Sequence, residues 1–111
     1  MNKKDIIRIN QEIGEEGELT NPGALEYAVD RIRDNKDWLI ELSYLVRSLL
    51  VDHAFKEGNK RTALALILAY FEDKEVKYNE EKMIKIISKI AAKNITNIAK
   101  IARLIQSGKA Y

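Results

Sequence analysis

The fold of this chain is decided by one stretch, WLIELSYLVRSLLVDHAFKEGNKRTALALILAYFED (38–73). Apolar residues recur at helical spacing in both halves of this stretch, and they occupy more than one face of each half. The pattern predicts two buried helices, Trp38 to about His53 and Asn59 to Asp73, which form the centre of the core. Between them, residues 54–58 form a turn that ends at Gly58.

Shorter amphipathic patterns lie on both sides of this pair. A helix is predicted over 3–13, and another begins at Asn21-Pro22, where Asn caps the first turn and Pro suits it. That helix ends at the polar run 33–37. After the pair, residues 76–78 form an extended link and Asn79 caps a fifth helix. A last helix is predicted around four apolar residues, Ile95, Ile98, Ala102 and Ile105.

The composition is that of a globular chain. With 46% hydrophobic and 32% charged residues among 111, the chain can bury a core as one domain, 1–111. Runs of alternating polarity are absent, so we expect an all-α fold, a compact bundle of about six helices around two central ones. There is no cysteine, which excludes thiolate metal sites and suits a reducing cytosol. No signal-peptide or membrane-length apolar run occurs, so a cytoplasmic location away from membranes is expected.

The net charge of +2 is unevenly distributed along the chain. All 17 acidic residues precede Lys82, whereas residues 82–111 carry Lys and Arg and no acid. A basic surface attracts nucleic acid or an acidic protein partner, although a solvated helix face has the same composition.

The turn between the central helices, HAFKEGNKRT (53–62), concentrates the residues that can do chemistry. A helix start offers unpaired N–H groups and a positive dipole end, which together attract anions. Gly58 leaves room for an anion near the backbone. Lys60 and Arg61 add positive charge, and Arg can bind a phosphate through two hydrogen bonds. The turn is therefore suited to phosphate.

Glu57 and His53 extend this hypothesis. A carboxylate beside a phosphate is favourable when Mg²⁺ lies between them, because Mg²⁺ binds one or two carboxylates and substrate phosphates. His53 lies across the turn and is the natural general base near neutral pH. Together these groups indicate transfer from a nucleotide to a hydroxyl.

Simpler interpretations of the same residues stay open. A single histidine at a helix end is often a cap or a packed residue, and Glu57 with Lys60 could be a surface ion pair. Gly58-Asn59 could be only a helix end followed by a helix start. Phe55 is expected to be a core anchor. The pattern is not a P-loop, since Lys does not directly follow Gly.

The same stretch resembles a known signature. His53, Phe55, Glu57, Gly58, Asn59 and Arg61 match the Fic/Doc family motif, His-x-Phe-x-Asp/Glu-Gly-Asn-Gly-Arg-x-x-Arg. The segment from Leu19 to Glu26 is similar to the one that these proteins carry upstream, and the order of helices is similar along nearly the whole chain.

Two positions depart from the members that transfer AMP. Lys60 stands where they have Gly, and Leu64 stands where they have a second Arg. The run NKRTAL (59–64) resembles instead the Doc branch, the "death on curing" toxins. In that branch the resemblance implies a reversed nucleotide that presents its γ-phosphate, so that the product is a phosphorylated protein.

The resemblance implies a role for each matching residue. His53 would be catalytic and would take the proton of a Ser, Thr or Tyr hydroxyl on a protein substrate. Glu57 would hold Mg²⁺. ATP would be bound by four successive residues, Gly58, Asn59, Lys60 and Arg61.

The resemblance also implies partners. The chain would be the toxin of a toxin–antitoxin pair and would act on a cytosolic protein such as a translation factor. Many members carry an inhibitory helix, Ser/Thr-x-x-x-Glu-Gly/Asn, which this sequence lacks. Inhibition is therefore expected from a separate antitoxin chain. From its charge alone, the basic stretch 82–111 is a candidate to bind an acidic, disordered tail of that chain. The polar run 33–37 stands in place of the longer flap that aligns the target in other members.

Two alternatives remain beside the kinase hypothesis. One is a Fic-type AMP-transferase. The other is a non-catalytic module that binds a partner or DNA. Nucleic acid is disfavoured, because the helices that flank the turn are apolar on more than one face and leave little surface for a groove.

Overall fold

A computed structural model describes residues 1–33 and 37–110, with the backbone alone for Arg33. These residues form six α-helices and no strand, as the sequence predicts: α1 (Lys3–Glu12), α2 (Pro22–Arg33), α3 (Trp38–Leu50), α4 (Asn59–Asp73), α5 (Glu80–Lys93) and α6 (Ile98–Gln106).

The start of each helix follows from its capping residue. In the described part of the chain, five helices begin behind an Asn or Asp whose side chain accepts a backbone N–H of the first turn: Asn2, Asn21, Asp37, Asn79 and Asn97. Helix α4 differs, because its N-cap is Gly58, which has no side chain. Its first N–H groups are therefore left for another acceptor.

The two central helices are α3 and α4, as predicted. Helix α3 packs against α2, α4, α5 and α6, and α4 packs against α1 and α5 as well as α3. Both bury more than one face, including Leu45 and Leu49 on α3 and Ile67 and Phe71 on α4. The pair forms a fixed platform on which the turn between its helices rests.

Two helix boundaries differ from the prediction, and a third prediction falls mostly outside the described residues. Helix α3 ends at Leu50 and not at His53, because the Asp52 N–H donates to the Arg47 carbonyl and the Ala54 N–H to the Ser48 carbonyl, and neither is the acceptor four residues back that an α-helix uses. Helix α6 begins at Ile98, and Ile95 is a buried residue of the preceding link. The predicted break at 33–37 falls mostly on residues 34–36, which lie outside the described residues.

Two short antiparallel contacts join segments that are distant in the sequence. Leu19 pairs with Phe55, and Tyr78 in the predicted extended link pairs with Lys109. The first contact lays the loop between α1 and α2 along the turn between α3 and α4. Over the described residues, none of the helices has the length and apolar character needed to cross a membrane.

Candidate active site

The turn between α3 and α4 is anchored in the core at its middle. Ala54 and Phe55 are buried, and the Ala54 N–H donates to the Ser48 carbonyl at 3.0 Å. The prediction that Phe55 is a core anchor is confirmed. The residues on either side of this anchor, His53 and Glu57, are exposed. The anchor thus holds the turn in place while its polar side chains remain accessible.

Asn59 closes the turn with its side chain. Its Nδ2 donates to the Phe55 carbonyl at 2.8 Å, and its Oδ1 accepts the Phe55 N–H at 3.0 Å. Both ends of the carboxamide are therefore engaged by one backbone unit, as in an Asx-type turn. The Asn59 side chain is already hydrogen-bonded to the Phe55 backbone. Asn59 can therefore bind a phosphate only through its backbone N–H at the start of α4.

Gly58 shapes the start of α4. Its φ of +79° lies in the left-handed region that favours glycine. A Cβ built on Gly58 would lie 2.6 Å from the Cγ atom of Glu15. The glycine therefore permits both the bend of the chain and the close approach of another group to the helix start.

His53 also has a left-handed backbone, with φ of +49°. This conformation is uncommon for a residue with a side chain and is found where surrounding contacts impose it. It turns the chain out of the line of α3 immediately before the buried Ala54. His53 belongs to the wall of the cavity that lies over the start of α4.

That cavity, of about 400 Å³, brings all the predicted site residues together. Its volume lies within the usual range for small-molecule sites. The wall comprises predicted and unpredicted residues: His53, Glu57, Gly58, Asn59, Lys60 and Arg61, together with Glu15, Leu49, Leu50, Lys56 and Ala91. The residues singled out as base, metal ligand and phosphate-binding cations, His53, Glu57, Lys60 and Arg61, thus line one cavity.

Arg61 is held by the loop that follows α1. Its Nη1 donates to the Ile13 carbonyl at 3.1 Å, and its Nη2 forms an ion pair with Glu15 Oε1. The Glu15 side chain is 23% exposed and that of Arg61 60%, so the pair is shielded from water on the Glu15 side alone. The Arg61 guanidinium, which would bind a phosphate, is therefore already paired with the Glu15 carboxylate.

The position of Glu15 tests whether this site suits an anion. Its side-chain stem lies over Gly58, and its carboxylate lies on Arg61. The start of α4 thus already accommodates a negative group beside an uncapped helix end. The residues present fit a phosphate, provided that the Glu15 side chain moves aside.

The donor set for a metal is small. Among the described residues, no group of three or more His, Asp or Glu side chains is placed to hold a metal ion. Glu57 is one carboxylate in the cavity wall, and Mg²⁺ commonly completes its shell with substrate phosphates and water. Glu57 therefore fits Mg²⁺ that arrives with a nucleotide, since the described residues provide no preformed cage for the ion.

The buried Asn10 fixes the base of the site, and the sequence-based interpretation missed it. Its Nδ2 donates to the Glu57 carbonyl and to Thr62 Oγ1, each at 3.1 Å. Its Oδ1 accepts the Gly17 N–H at 2.8 Å. The signal was available, because Asn10 follows Ile6 by four residues on the inner face of α1 and is a polar residue where an apolar one is expected.

Glu15 and Lys56 were also missed. Both line the cavity, and Lys56 forms a 3.8 Å ion pair with Glu18. Neither stands out in the sequence, since both lie in runs rich in charged residues. Their proximity to Arg61 and Glu57 depends on how the loop after α1 folds back over the turn.

An apolar groove adjoins the cavity. It has a volume of about 240 Å³ and lies between α4 and α5, with Lys60 and Arg61 shared between groove and cavity. Leu64, which stands where AMP-transferring members have a second Arg, lines this groove with Ile84 and Ile87. Ile84 is 48% exposed, so part of its side chain forms the open wall of the groove.

Fold and site together define a small all-α domain that presents a histidine, a carboxylate and an uncapped, cation-flanked helix start to one cavity. The model of the Fic/DOC family matches residues 1–71, and the chain belongs to that family. Membership implies a nucleotide-dependent transferase that modifies proteins. No curated protein matches the chain. The family match ends within α4, so it includes the whole candidate site except the wall contributed by Ala91.

Proposed function

We propose that this chain transfers the γ-phosphate of ATP to a Ser, Thr or Tyr hydroxyl of a cytosolic protein, as a Doc-like toxin. The observation that carries the proposal is the placement of Lys60 and Arg61 in the first turn of α4, in the same cavity as His53 and Glu57. A cation at position 60 gives the cavity a positive charge directly beside the uncapped helix start. A translation factor is one candidate for the target.

The proposed reaction uses the chain's own groups as follows. The neutral imidazole of His53 accepts the proton of the acceptor hydroxyl while its oxygen attacks the γ-phosphorus. The bond between that phosphorus and the β–γ bridging oxygen breaks, and ADP leaves with the electron pair. Lys60, Arg61 and the first N–H groups of α4 stabilise the negative charge of the phosphates.

Glu57 is the residue that would hold Mg²⁺. The ion, when bound, supplies positive charge that neutralises the phosphate oxygens. Asn10 supports this role indirectly, because it holds the Glu57 backbone carbonyl from the buried side of the turn.

Leu64 favours phosphoryl transfer over AMP transfer. The pose used for AMP transfer depends on two arginines that bind the triphosphate, and this chain has one of them, Arg61. At the other position, Leu64 faces an apolar groove in place of a phosphate. The Fic-type AMP-transferase remains the second candidate, since the chain keeps the histidine, carboxylate and Gly-Asn turn that both reactions use.

The position of the radioactive label distinguishes the two reactions. The full chain is incubated with cell lysate and either γ-labelled or α-labelled ATP, with His53→Ala and the remote Lys100→Ala as variants. We expect label on protein from γ-labelled ATP alone, lost by a factor of about 100 or more in His53→Ala and unchanged in Lys100→Ala. Transfer from α-labelled ATP would instead establish the AMP-transferase. No transfer of either label would leave only the binding-module alternative.

We further propose that a separate antitoxin chain restrains this activity in the cytoplasm, and the cysteine-free composition supports that location. The groove at Leu64, Ile84 and Ile87 offers an apolar seat, and the exposed lysines Lys85 and Lys89 next to it favour an acidic amphipathic segment. In purification from native cells, an acidic partner is expected at about 0.1 M salt and lost at about 1 M salt. Recovery of no acidic chain at low salt would refute the antitoxin proposal.

A further inference from the structure

The backbone carbonyls of residues 52–54 accept hydrogen bonds from two residues that lie more than thirty positions earlier. Thr20 Oγ1 donates to the His53 carbonyl at 3.0 Å, and Asn21 Nδ2 donates to the Asp52 carbonyl at 3.1 Å. The backbone N–H groups of both residues donate to the Ala54 carbonyl, at 2.9 and 3.1 Å. The carbonyls of residues 52–54 thus all accept hydrogen bonds from the dipeptide Thr20-Asn21.

This arrangement has a specific consequence for His53. Its left-handed conformation carries a conformational cost and persists only where contacts over-determine it. The hydrogen bonds from Thr20 and Asn21 fall on its own carbonyl and on the carbonyls immediately before and after it. They therefore hold the peptide units on both sides of the His53 Cα atom.

Asn21 also connects this clamp to a helix. Its Oδ1 accepts the Ala24 N–H at 3.3 Å and so caps α2, while its Nδ2 reaches the Asp52 carbonyl. One side chain thus sets the distance between the start of α2 and the turn that carries the imidazole. Thr20 and Asn21 are both exposed, so neither contributes to the buried core.

We propose that Thr20 and Asn21 are positioning residues that impose the left-handed backbone of His53 and so direct its imidazole into the cavity. The proposal rests on the function proposed above, since it concerns the base of that reaction. Asn10 and Asn59 hold the start of α4 through Glu57, Thr62 and Phe55, whereas the side chains of Thr20 and Asn21 bind the carbonyls of His53 and Asp52.

The kinetic experiment compares Thr20→Val, Thr20→Ser and Thr96→Val in the full chain. Thr96 is exposed, and it accepts a hydrogen bond from the Arg47 side chain through its backbone carbonyl, which valine keeps, so its variant controls for loss of a threonine hydroxyl. Thr20→Val is expected to lower kcat for γ-phosphate transfer about tenfold, with the KM for ATP unchanged. Thr20→Ser keeps the donor and should recover wild-type kcat to within about twofold. The proposal would be overturned if the KM for ATP changed by the same factor as kcat. It would also be overturned if Thr20→Ser had the same low kcat as Thr20→Val.

A second measurement does not depend on activity. His53 is the only histidine, so its backbone and imidazole NMR signals are identified without ambiguity. Thr20→Val should change the backbone coupling that reports the φ angle of His53, whereas Thr96→Val should not. If the wild-type chain transfers no phosphate, the proposed function fails, while this coupling still tests the clamp. An unchanged coupling in Thr20→Val would refute the clamp whatever the kinetics.

Asn21→Asp gives an independent variant should Thr20→Val fail to fold. Aspartate keeps the oxygen that caps α2 but replaces the donor to the Asp52 carbonyl with an acceptor. The expected result is again a change in the His53 coupling and a lower kcat, with α2 intact by circular dichroism. A wild-type coupling and a wild-type kcat in this variant would count against the clamp.

Discussion

Arg61 and Glu15 set the electrostatics of the site at the scale of single residues. The guanidinium binds the Glu15 carboxylate and the Ile13 carbonyl, so both of its terminal nitrogens are engaged by the loop after α1. An incoming phosphate must displace the carboxylate, because two anions cannot share one guanidinium without mutual repulsion. Glu15 thus opposes the ligand that Arg61 attracts.

We therefore expect Glu15→Gln to bind ATP more tightly than the wild-type chain, by a factor of about three to ten, since a neutral amide competes less for Arg61. Calorimetry with a non-hydrolysable ATP analogue and Mg²⁺ measures the Kd. Glu16→Gln removes the same charge from the next residue, which is exposed and forms no ion pair among the described residues, and should leave Kd unchanged. Weaker binding by Glu15→Gln would mean that the carboxylate orients Arg61 for the phosphate.

At the scale of the element, the start of α4 is the distinctive feature. The other described helices use Asn or Asp side chains as caps, whereas α4 begins at a left-handed glycine. The absence of a side-chain cap costs the helix some stability, but it leaves N–H groups and the positive dipole end open to an anion. The element thus gives up local stability at the place where a phosphate would bind.

Two glycines with positive φ distinguish the cost of backbone strain from the cost of steric crowding: Gly14 in the loop after α1 and Gly58 at the start of α4. Gly14→Ala introduces a side chain at φ of +100° with nothing within 4 Å, so it should cost only backbone strain, about 1 kcal/mol. Gly58→Ala adds a contact of 2.6 Å with Glu15, so its cost should exceed that of Gly14→Ala by about 1 kcal/mol. Urea unfolding measures both free energies.

The cause of the excess is tested with Glu15→Ala. In that background the extra cost of Gly58→Ala should disappear, because the two side chains no longer compete for one space. Equal costs for the two glycine variants in the wild-type background would show that Glu15 moves aside freely.

At the scale of the whole molecule, the two central helices are joined by a polar contact as well as by the core. Tyr70 on α4 donates its hydroxyl to Glu41 Oε1 on α3 at 2.6 Å. Burial, followed by the hydrogen bond and charge of Glu41, raises the pKa of Tyr70 well above its ordinary value. The phenol consequently stays protonated in the folded chain at a pH where it ionises in the unfolded chain.

The contribution of this contact to stability should depend on pH. Below about pH 10, where the unfolded phenol is protonated too, Tyr70→Phe should lower the free energy of unfolding by about 1 to 2 kcal/mol. Above pH 10 the unfolded chain loses the proton first, so stability of the wild-type chain falls and the difference between wild type and Tyr70→Phe shrinks. Unfolding in urea at neutral and alkaline pH measures this difference, with the half-exposed Tyr27→Phe as control. A difference that is constant with pH would contradict the assignment.

Much of the architecture is encoded locally. Asn21 and Asn79 cap their helices as predicted, and the apolar spacing of 38–73 places two buried helices at the centre. Such features depend on residues within one or two turns of helix, which a sequence displays directly. For the same reason the motif residues from His53 to Arg61 could be singled out, since they lie close together in one short segment of the sequence.

The sequence by itself thus determined the all-α class, most helix limits and the group of residues that faces the cavity. Only the tertiary structure decided how these residues are held. Thr20 and Asn21 bind the carbonyls of residues 52–54, and Arg61 is occupied because Glu15 folds back onto it. These partners lie more than thirty residues from the positions they control. Their hydrogen bonds form only when α1 and α2 pack on the central pair, and helical periodicity carries no information about such distances.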